Sequence, residues 1–185
     1  MRTKVLYLIR HCQAGGQDPA APLTAEGRAQ AEVLADFLGG FPIDRIVSSP
    51  YSRAVETAAP LAGRLGLDIL TDDRLRERVL SGANSPNWEE RLRQTFLDLD
   101  LSFPGGESSR AAMRRAVAVV EEALPLTAQG VVLVSHGCLL TLLLKHFDDR
   151  FGFAEWAAMT NPDVFRVILA PEGARVERIW NMPPP

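Results

Sequence analysis

The sequence predicts an α/β protein of three layers, in which a mostly parallel central sheet carries helices on both faces. Two short apolar runs, at 5–9 and 130–135, lack polar alternation, which is typical of strands buried on both sides. Helical segments alternate with the strands along the chain, as in βαβ units. The length of 185 residues fits one domain and supplies a core that needs neither disulfides nor metals.

Start and stop signals place the elements of the first half. Thr24 is a suitable N-cap for a first helix, Pro50 favours the first turn of a second, and Gly66 ends that second helix. The predicted elements are a strand at 5–9, a loop at 12–22, a helix from Thr24 to about Leu38, a strand at 43–48, a helix from Ser49 to about Leu65 and a strand at 68–71.

The second half contains an irregular segment at 82–106. We expect it to be a short cap-like insertion over one edge of the sheet, within a single domain of 1–185. Ser108 or Ser109 is a suitable N-cap for the helix that follows. The remaining predicted elements are helices at 88–97 and 108–124, a strand at 130–135, a helix to about Phe147, strands at 164–169 and 175–180, and a frayed tail at 183–185.

Composition limits the classes of partner. The net charge is −3 and 23% of residues are charged, so the whole surface does not favour nucleic acid or anionic lipid. The longest apolar region, at 131–144, is interrupted at 135–137 and is too short to span a bilayer. Cys12 and Cys138 do not form a disulfide framework and indicate a reducing cytoplasm. We expect a cytoplasmic protein whose partner is a small molecule.

Two strands end in histidine. Arg10 and His11 follow the first strand, and His136 follows the strand at 130–135. The carboxyl ends of parallel strands share one edge of the sheet, where α/β proteins bind ligands. A single histidine in this position is more often buried and hydrogen-bonded, but two such strands with an adjacent arginine favour an anion site.

Two further charged residues follow the other strands. Arg53 lies near the start of a helix, beside amides that also favour anions, although a surface ion pair with Glu56 or Asp44 would explain it equally well. Glu77 follows the strand at 68–71, where a carboxylate between arginines is commonly part of a solvated charge network.

These motifs occur together in one order. The chain carries Arg-His after strand one, Ser-Ser-Pro-x-x-Arg-Ala-x-Glu-Thr after strand two, Leu-x-Glu after strand three, Gly-Gly-Glu-Ser before a helix, and Ser-His-Gly after strand four. Pro-Leu-Thr-x-x-Gly-x-x-Gln-Ala precedes and opens the first helix. The set resembles the histidine phosphatase superfamily, branch 1, whose members are phosphoglycerate-mutase-like, and the resemblance covers essentially the whole chain.

The resemblance implies a phosphoric monoester hydrolase of the histidine acid type, without metal or other cofactor. His11 would be the nucleophile and become a phosphohistidine, and Glu77 would be the proton donor and then the base. Phosphate binding is implied for Arg10, Arg53 and His136. Gln13, Gln17 and Thr24 are additional candidates for phosphate binding, although Gln17 stands where the family often has Asn.

General chemistry supports these roles. A nucleophilic imidazole must be neutral, and two nearby guanidinium groups disfavour imidazolium. The same charges stabilise the oxygens of a transferring phosphoryl group. Like-charge repulsion from a bound phosphate dianion favours the protonated form of a neighbouring carboxyl.

One position departs from the family pattern. The family usually has Gly after Arg-His, whereas this chain has Cys12, whose side chain either crowds the loop or points away. Cys12 and Cys138, each next to a strand-end histidine, also leave open a thiolate–imidazole zinc site or a redox pair. Two arginines would repel such a cation.

The leading function is a metal-independent phosphomonoesterase acting on a small phosphorylated metabolite. A phosphoglycerate-type phosphomutase, a phosphohistidine or phosphotyrosine protein phosphatase, and a non-catalytic phosphate-binding module are the alternatives. The C-terminal strands and Trp180 leave a homodimer open. A secondary anion site or a solvated, salt-bridged face would both account for the arginines at 74, 76, 78, 91 and 93.

Overall fold

The structure, a computed structural model, describes residues 3–180, so the predicted tail at 183–185 lies outside the described residues. Six strands and six α-helices alternate through most of it. In chain order they are β1 (Lys4–Arg10), α1 (Ala25–Leu38), β2 (Arg45–Ser48), α2 (Ser52–Leu65), β3 (Ile69–Thr71), α3 (Trp88–Leu97), α4 (Ser109–Ala123), β4 (Gly130–Ser135), α5 (Gly137–Phe147), α6 (Phe153–Ala157), β5 (Asp163–Ala170) and β6 (Gly173–Arg178).

The strands form one sheet in the order β3-β2-β4-β1-β5-β6. The first four of these are parallel, while β5 runs antiparallel to β1 and pairs with β6 as a terminal hairpin. The predicted three-layer fold with a mostly parallel sheet is confirmed. Because β1 and β4 are central and adjacent, their carboxyl ends lie side by side.

Two hydrophobic cores lie on opposite faces of the sheet. Side chains alternate along β1, so Leu6 and Leu8 join the core under α4 and α5, whereas Tyr7 and Ile9 join the core under α1 and α2. All six residues of β4 are buried. Helices packed on both faces of the sheet therefore explain why these apolar runs lack polar alternation, as predicted.

The predicted capping residues act as expected. The Thr24 hydroxyl accepts the Gly27 N–H at the start of α1, and the Ser108 hydroxyl accepts the Ala111 N–H at the start of α4. Gly66 ends α2 at a φ of 65°, a left-handed conformation that favours glycine. The second helix begins at Ser52 rather than at Ser49, because Tyr51 still has extended backbone angles.

Three short elements were not predicted from the sequence. These are the five-residue helix α6 and two 3₁₀ turns, Asp73–Leu75 and Leu124–Leu126. A helix of one turn shows no recurring apolar spacing, so periodicity cannot reveal it.

The segment at 82–106 is closed at its base, where the Gly82 N–H donates to the Pro104 carbonyl at 2.9 Å. Its helix α3 lies where the sequence predicts and buries Leu92 and Phe96 in the core shared with α4 and α5. Trp88 and Phe96 stack edge-on against aromatic side chains of α6. The role of this segment as a cap stays a prediction.

Across residues 3–180, the helices are too short or too polar for any of them to cross a bilayer.

Candidate active site

The two strand-end histidines meet at the carboxyl edge of the sheet. Arg10 of β1 lies opposite Ser135 of β4, and the His11 N–H donates to the Ser135 carbonyl at 3.0 Å. The rings of His11 and His136 are consequently 5.2 Å apart, centroid to centroid, at an interplanar angle of 62°. The parallel pairing of two adjacent strands produces this contact.

The His11 ring is held in one orientation. Its Nδ1 lies 2.7 Å from the Cys12 carbonyl oxygen, which can only accept, so Nδ1 carries the proton and Nε2 carries a lone pair. The Arg53 Nε–H approaches that Nε2 at 3.3 Å. Nε2 therefore faces the cationic side of the site, where its lone pair accepts the Arg53 Nε–H.

The same surroundings keep the His11 ring neutral. Burial lowers its pKa from 6.5 to about 4; the Cys12 carbonyl opposes this shift, and the Arg53 and Arg10 charges add to it. The predicted effect of two guanidinium groups is thus present, but burial contributes more. A neutral imidazole with a fixed tautomer is what a nucleophile requires.

His136 is almost completely buried, at 1% exposure. Its Nε2 lies 2.8 Å from the Ser49 hydroxyl, which also accepts the Tyr51 N–H at 3.3 Å and so directs its own proton to the ring. Burial, reinforced by the His11 ring and the arginine charges, lowers the pKa of His136 to about 2. His136 Nδ1 is left as a buried N–H with no hydrogen-bond partner among the described residues.

Arg10 adds a second unpaired buried donor at this edge of the sheet. Arg10 Nη1 donates to the Met159 carbonyl at 3.0 Å, but Arg10 Nε is buried without a partner in the described chain. Unpaired buried N–H groups cost free energy, so two of them at the same edge of the sheet favour an anion there. The group can lie this close to α5 because Gly137 has no side chain: a Cβ there would be 3.1 Å from Arg10 Cζ.

Arg53 also supports the loop at 12–22. It is 2% exposed, and its Nη1 donates to the Asp18 carbonyl at 2.9 Å and to the Gln17 carbonyl at 3.3 Å. The Arg53 guanidinium lies over the Tyr51 ring at 4.9 Å. Its surface ion-pair alternative is wrong, because Glu56 instead accepts the Leu23 N–H and Asp44 caps the turn before β4.

Glu77 lies at the N-terminus of α5. Its carboxylate accepts three backbone N–H groups, from Arg78 at 2.7 Å, Cys138 at 3.0 Å and Leu139 at 2.9 Å. Its charge also opposes the burial-driven lowering of the pKa of Arg10 and of Arg53. Glu77 therefore belongs to the same electrostatic cluster as the strand-end residues.

The three additional phosphate-binding candidates are placed differently. The Thr24 hydroxyl caps α1 and donates to the Gln13 side-chain oxygen at 2.7 Å, so these two groups bond to each other. Gln17 contributes its backbone carbonyl to Arg53. Within the described part of the chain, none of the three side chains makes a hydrogen bond to His11 or His136.

The two cysteines lie on opposite faces of the sheet. Cys12 joins the core under α1 and α2, and Cys138 joins the core under α4 and α5. The Cys12 side chain thus points away from the site, and burial raises the pKa of both thiols to about 12. Within residues 3–180 no three His, Cys, Asp or Glu side chains are grouped to hold a metal ion. The zinc and redox-pair hypotheses are therefore wrong.

Sequence reasoning missed the residues that hold the backbone of His11 and Cys12. The buried Thr57 hydroxyl accepts the Cys12 N–H at 2.9 Å, and Asn161 Nδ2 donates to the His11 carbonyl at 2.8 Å. Asp163, opposite Arg10 in the sheet, is fully buried and pairs with Arg178. Thr57 closes the motif after β2 and was available as a signal, whereas no pattern indicated the other two.

Most of the arginines proposed for a secondary anion site are already paired. Arg74 contacts Asp72 and Glu122, and Arg78 is buried with its guanidinium on Thr95 and a backbone carbonyl. The guanidinium groups of the remaining two on α3 lie over the rings of Phe103 and Phe153. Arg76 donates its Nε to the Asp73 carbonyl at 3.1 Å and lies 3.9 Å from the Asp73 carboxylate.

A fold of this topology, with a neutral histidine facing two guanidinium groups and a second histidine, defines a phosphoryl-transfer site. The sequence model of the histidine phosphatase superfamily (branch 1) matches residues 6–182, and the chain belongs to that family.

Particular relatives were found by sequence and by structure. A probable phosphoglycerate mutase GpmB from Proteus mirabilis is 33% identical, over 81% of this chain and 77% of the relative. A mycobacterial glucosyl-3-phosphoglycerate phosphatase superposes with a TM-score of 0.78 at 27% identity, covering 96% of this chain and 98% of that one. The same phosphatase in complex with inorganic phosphate gives a TM-score of 0.76 at 29% identity, covering 97% of each chain.

Proposed function

We propose that the protein is a phosphomonoesterase that hydrolyses a small phosphorylated metabolite through a phosphohistidine at His11, without a metal ion. The observation that carries this proposal is that the neutral His11 ring lies 5.2 Å from the His136 ring, at a sheet edge where Arg10 Nε and His136 Nδ1 are buried and unpaired among the described residues. A phosphoryl group would satisfy these donors and meet the lone pair of His11 Nε2 at once. A mycobacterial phosphatase of similar structure was solved in complex with inorganic phosphate, which supports phosphate as the class of ligand.

The reaction follows from this geometry. His11 Nε2 attacks phosphorus, and the bond from phosphorus to the leaving oxygen breaks while Glu77, in its protonated form, gives that oxygen a proton. Arg10, Arg53 and His136 stabilise the charge on the three remaining oxygens. Water then attacks the phosphohistidine, Glu77 takes a proton from the water, and His11 leaves as the neutral ring.

A mutase is the second candidate, because relatives at 31–33% identity bear the name of a probable phosphoglycerate mutase. A mutase must return the phosphoryl group from histidine to substrate before water reaches it. Structural similarity to a phosphatase over nearly the whole of both chains favours hydrolysis.

The two buried, unpaired thiols fit the reducing cytoplasm expected from the sequence.

The experiment is turnover of p-nitrophenyl phosphate between pH 4 and 8 with EDTA present, for wild type and His11→Ala. We expect hydrolysis that resists the chelator and is abolished in the variant. Wild type incubated with a ³²P-labelled substrate should also retain ³²P in a bond that is stable in base and broken in acid, as a phosphohistidine is. Loss of wild-type turnover on chelation would contradict the metal-free mechanism. Isomerisation of 3-phosphoglycerate that exceeds its hydrolysis would establish the mutase.

A further inference from the structure

The backbone around Glu77 belongs to no helix or strand. It follows the 3₁₀ turn at Asp73–Leu75 and runs irregularly to α3, so contacts from other elements must hold it in place. Arg115 of α4 supplies two of these contacts, because its Nη1 donates to the Arg74 carbonyl and, at 2.8 Å, to the Arg76 carbonyl. The Arg76 carbonyl shares a planar peptide group with the Glu77 N–H, so this bond fixes the orientation of the peptide from which Glu77 extends.

Arg115 is itself held by Glu107. The Glu107 carboxylate accepts Arg115 Nε at 3.1 Å and also Arg115 Nη2, a bidentate pair in which both side chains are partly buried. The Glu107 N–H donates to the Val79 carbonyl at 2.9 Å, and the Glu107 carbonyl accepts Arg78 Nη2 at 3.1 Å. The backbone is therefore bonded to the Glu107–Arg115 pair on both sides of Glu77.

The guanidinium of Arg115 has little capacity left for a ligand. An arginine carries five N–H donors, and Arg115 makes four hydrogen bonds with them inside the protein. Arg115 nevertheless lines a cleft of about 390 Å³ together with Tyr51 and Glu77. A side chain in this position, with its charge paired and its donors used, acts through the groups that it holds.

From these contacts we infer that Arg115 is a positioning residue that orients Glu77 toward the oxygen of the leaving group, with Glu107 holding the guanidinium in place. The inference rests on the proposed function, in which Glu77 protonates that oxygen. A proton donor must lie within hydrogen-bond reach of its acceptor. Loss of the Arg115 contacts should therefore impair proton donation while the phosphate-binding groups, which follow β1 and β4 or lie on α2, stay in place.

Two aryl phosphates separate proton donation from phosphate binding. Nitrophenolate is a weak base that leaves without a proton, whereas phenolate is more basic and leaves faster when it is protonated. The quantity compared is kcat/KM, which includes the step that breaks the bond from phosphorus to the leaving oxygen. Arg115→Met should lower kcat/KM for phenyl phosphate about 10- to 100-fold and keep that for p-nitrophenyl phosphate within about threefold, because a displaced donor harms only the leaving group that needs it.

Three further variants sharpen the result. Arg114→Met, the matched control, removes the exposed neighbouring arginine of α4 and should leave both substrates unchanged. Arg115→Lys keeps the charge without the planar fork and should show an intermediate loss on phenyl phosphate. The double variant Glu77→Gln/Arg115→Met should hydrolyse phenyl phosphate as slowly as Glu77→Gln alone, because the arginine acts through Glu77.

Equal losses on the two substrates in Arg115→Met, or a loss on neither, would overturn the inference, as would a further loss in the double variant. If Arg115→Met does not fold, the ratio of the two substrates in Arg115→Lys decides in the same way. Failure of the proposed function would show separately, as hydrolysis that is absent or indifferent to His11→Ala, or as a Glu77→Gln variant that loses both substrates equally.

Discussion

Replacing His11 by glutamine should change how the stability of the protein depends on pH. In the folded chain the pKa of His11 is about 4, against 6.5 for an ordinary histidine, with burial as the largest cause. Between these values the unfolded chain binds a proton that the folded chain does not. Stability is therefore lost as the pH falls below about 6.5, and the loss is complete near pH 4.

The size of the effect follows from the same values. One pKa unit corresponds to about 1.4 kcal/mol. The His11 ring therefore lowers the free energy of unfolding by about 2 kcal/mol when the pH falls from 7 to 5. His136, whose pKa is lowered to about 2, adds a similar amount over this interval. Because burial dominates the shift at His136, its contribution should survive the loss of the His11 ring.

Urea denaturation at pH 7 and pH 5 measures this difference. Wild type should lose about 2 kcal/mol more than His11→Gln on going from pH 7 to pH 5. Carboxylates contribute to both proteins alike and cancel in the comparison. His146→Gln, on the exposed end of α5, controls for the removal of an imidazole outside the site. Equal pH dependence in wild type and His11→Gln would refute the argument that burial holds this ring neutral.

Three other substitutions have definite expected outcomes. Arg53→Ala should lower kcat/KM for p-nitrophenyl phosphate by about 10²-fold or more, since it removes a donor to the developing charge; retained activity would place the phosphate elsewhere. Gly137→Ala puts a Cβ 3.1 Å from Arg10 Cζ and should cost about 1–3 kcal/mol of stability together with activity, so a stable, fully active variant would show that this contact is not tight. Asp163→Asn should lower the unfolding free energy by about 2–3 kcal/mol, because its buried carboxylate holds Arg178; an unchanged urea midpoint would argue against that ion pair.

The central residues of the site could be predicted because they directly follow the ends of strands in the sequence. Arg10, His11 and His136 each directly follow an uninterrupted apolar run, and the register of parallel strands brings such positions together without help from distant residues. Arg53 lies in the first turn of a helix that directly follows a strand, so its place is similarly local. Local periodicity and turn chemistry were sufficient for these positions.

The functional state of these groups could not be predicted in the same way. The tautomer of His11 depends on the carbonyl of Cys12, which is positioned by a hydroxyl 45 residues away, at Thr57. The resemblance implied a role for Glu77 in the site, but its two bonds to the start of α5 depend on how a loop packs against a helix. Gln13 and Thr24 bond to each other, a pairing that neither motif suggested.

The sequence alone determined the order of strands and helices, the caps, and the family of the chain, because each is recorded in neighbouring residues. Tertiary structure decided which partner each charged side chain has. The five arginines between 74 and 93 had one predicted role, yet they have different partners: a carboxylate of Glu122 for Arg74, the Glu107 carbonyl for Arg78, and aromatic rings for the two on α3. Pairing between distant residues is set by packing, and packing has no signature in a local pattern.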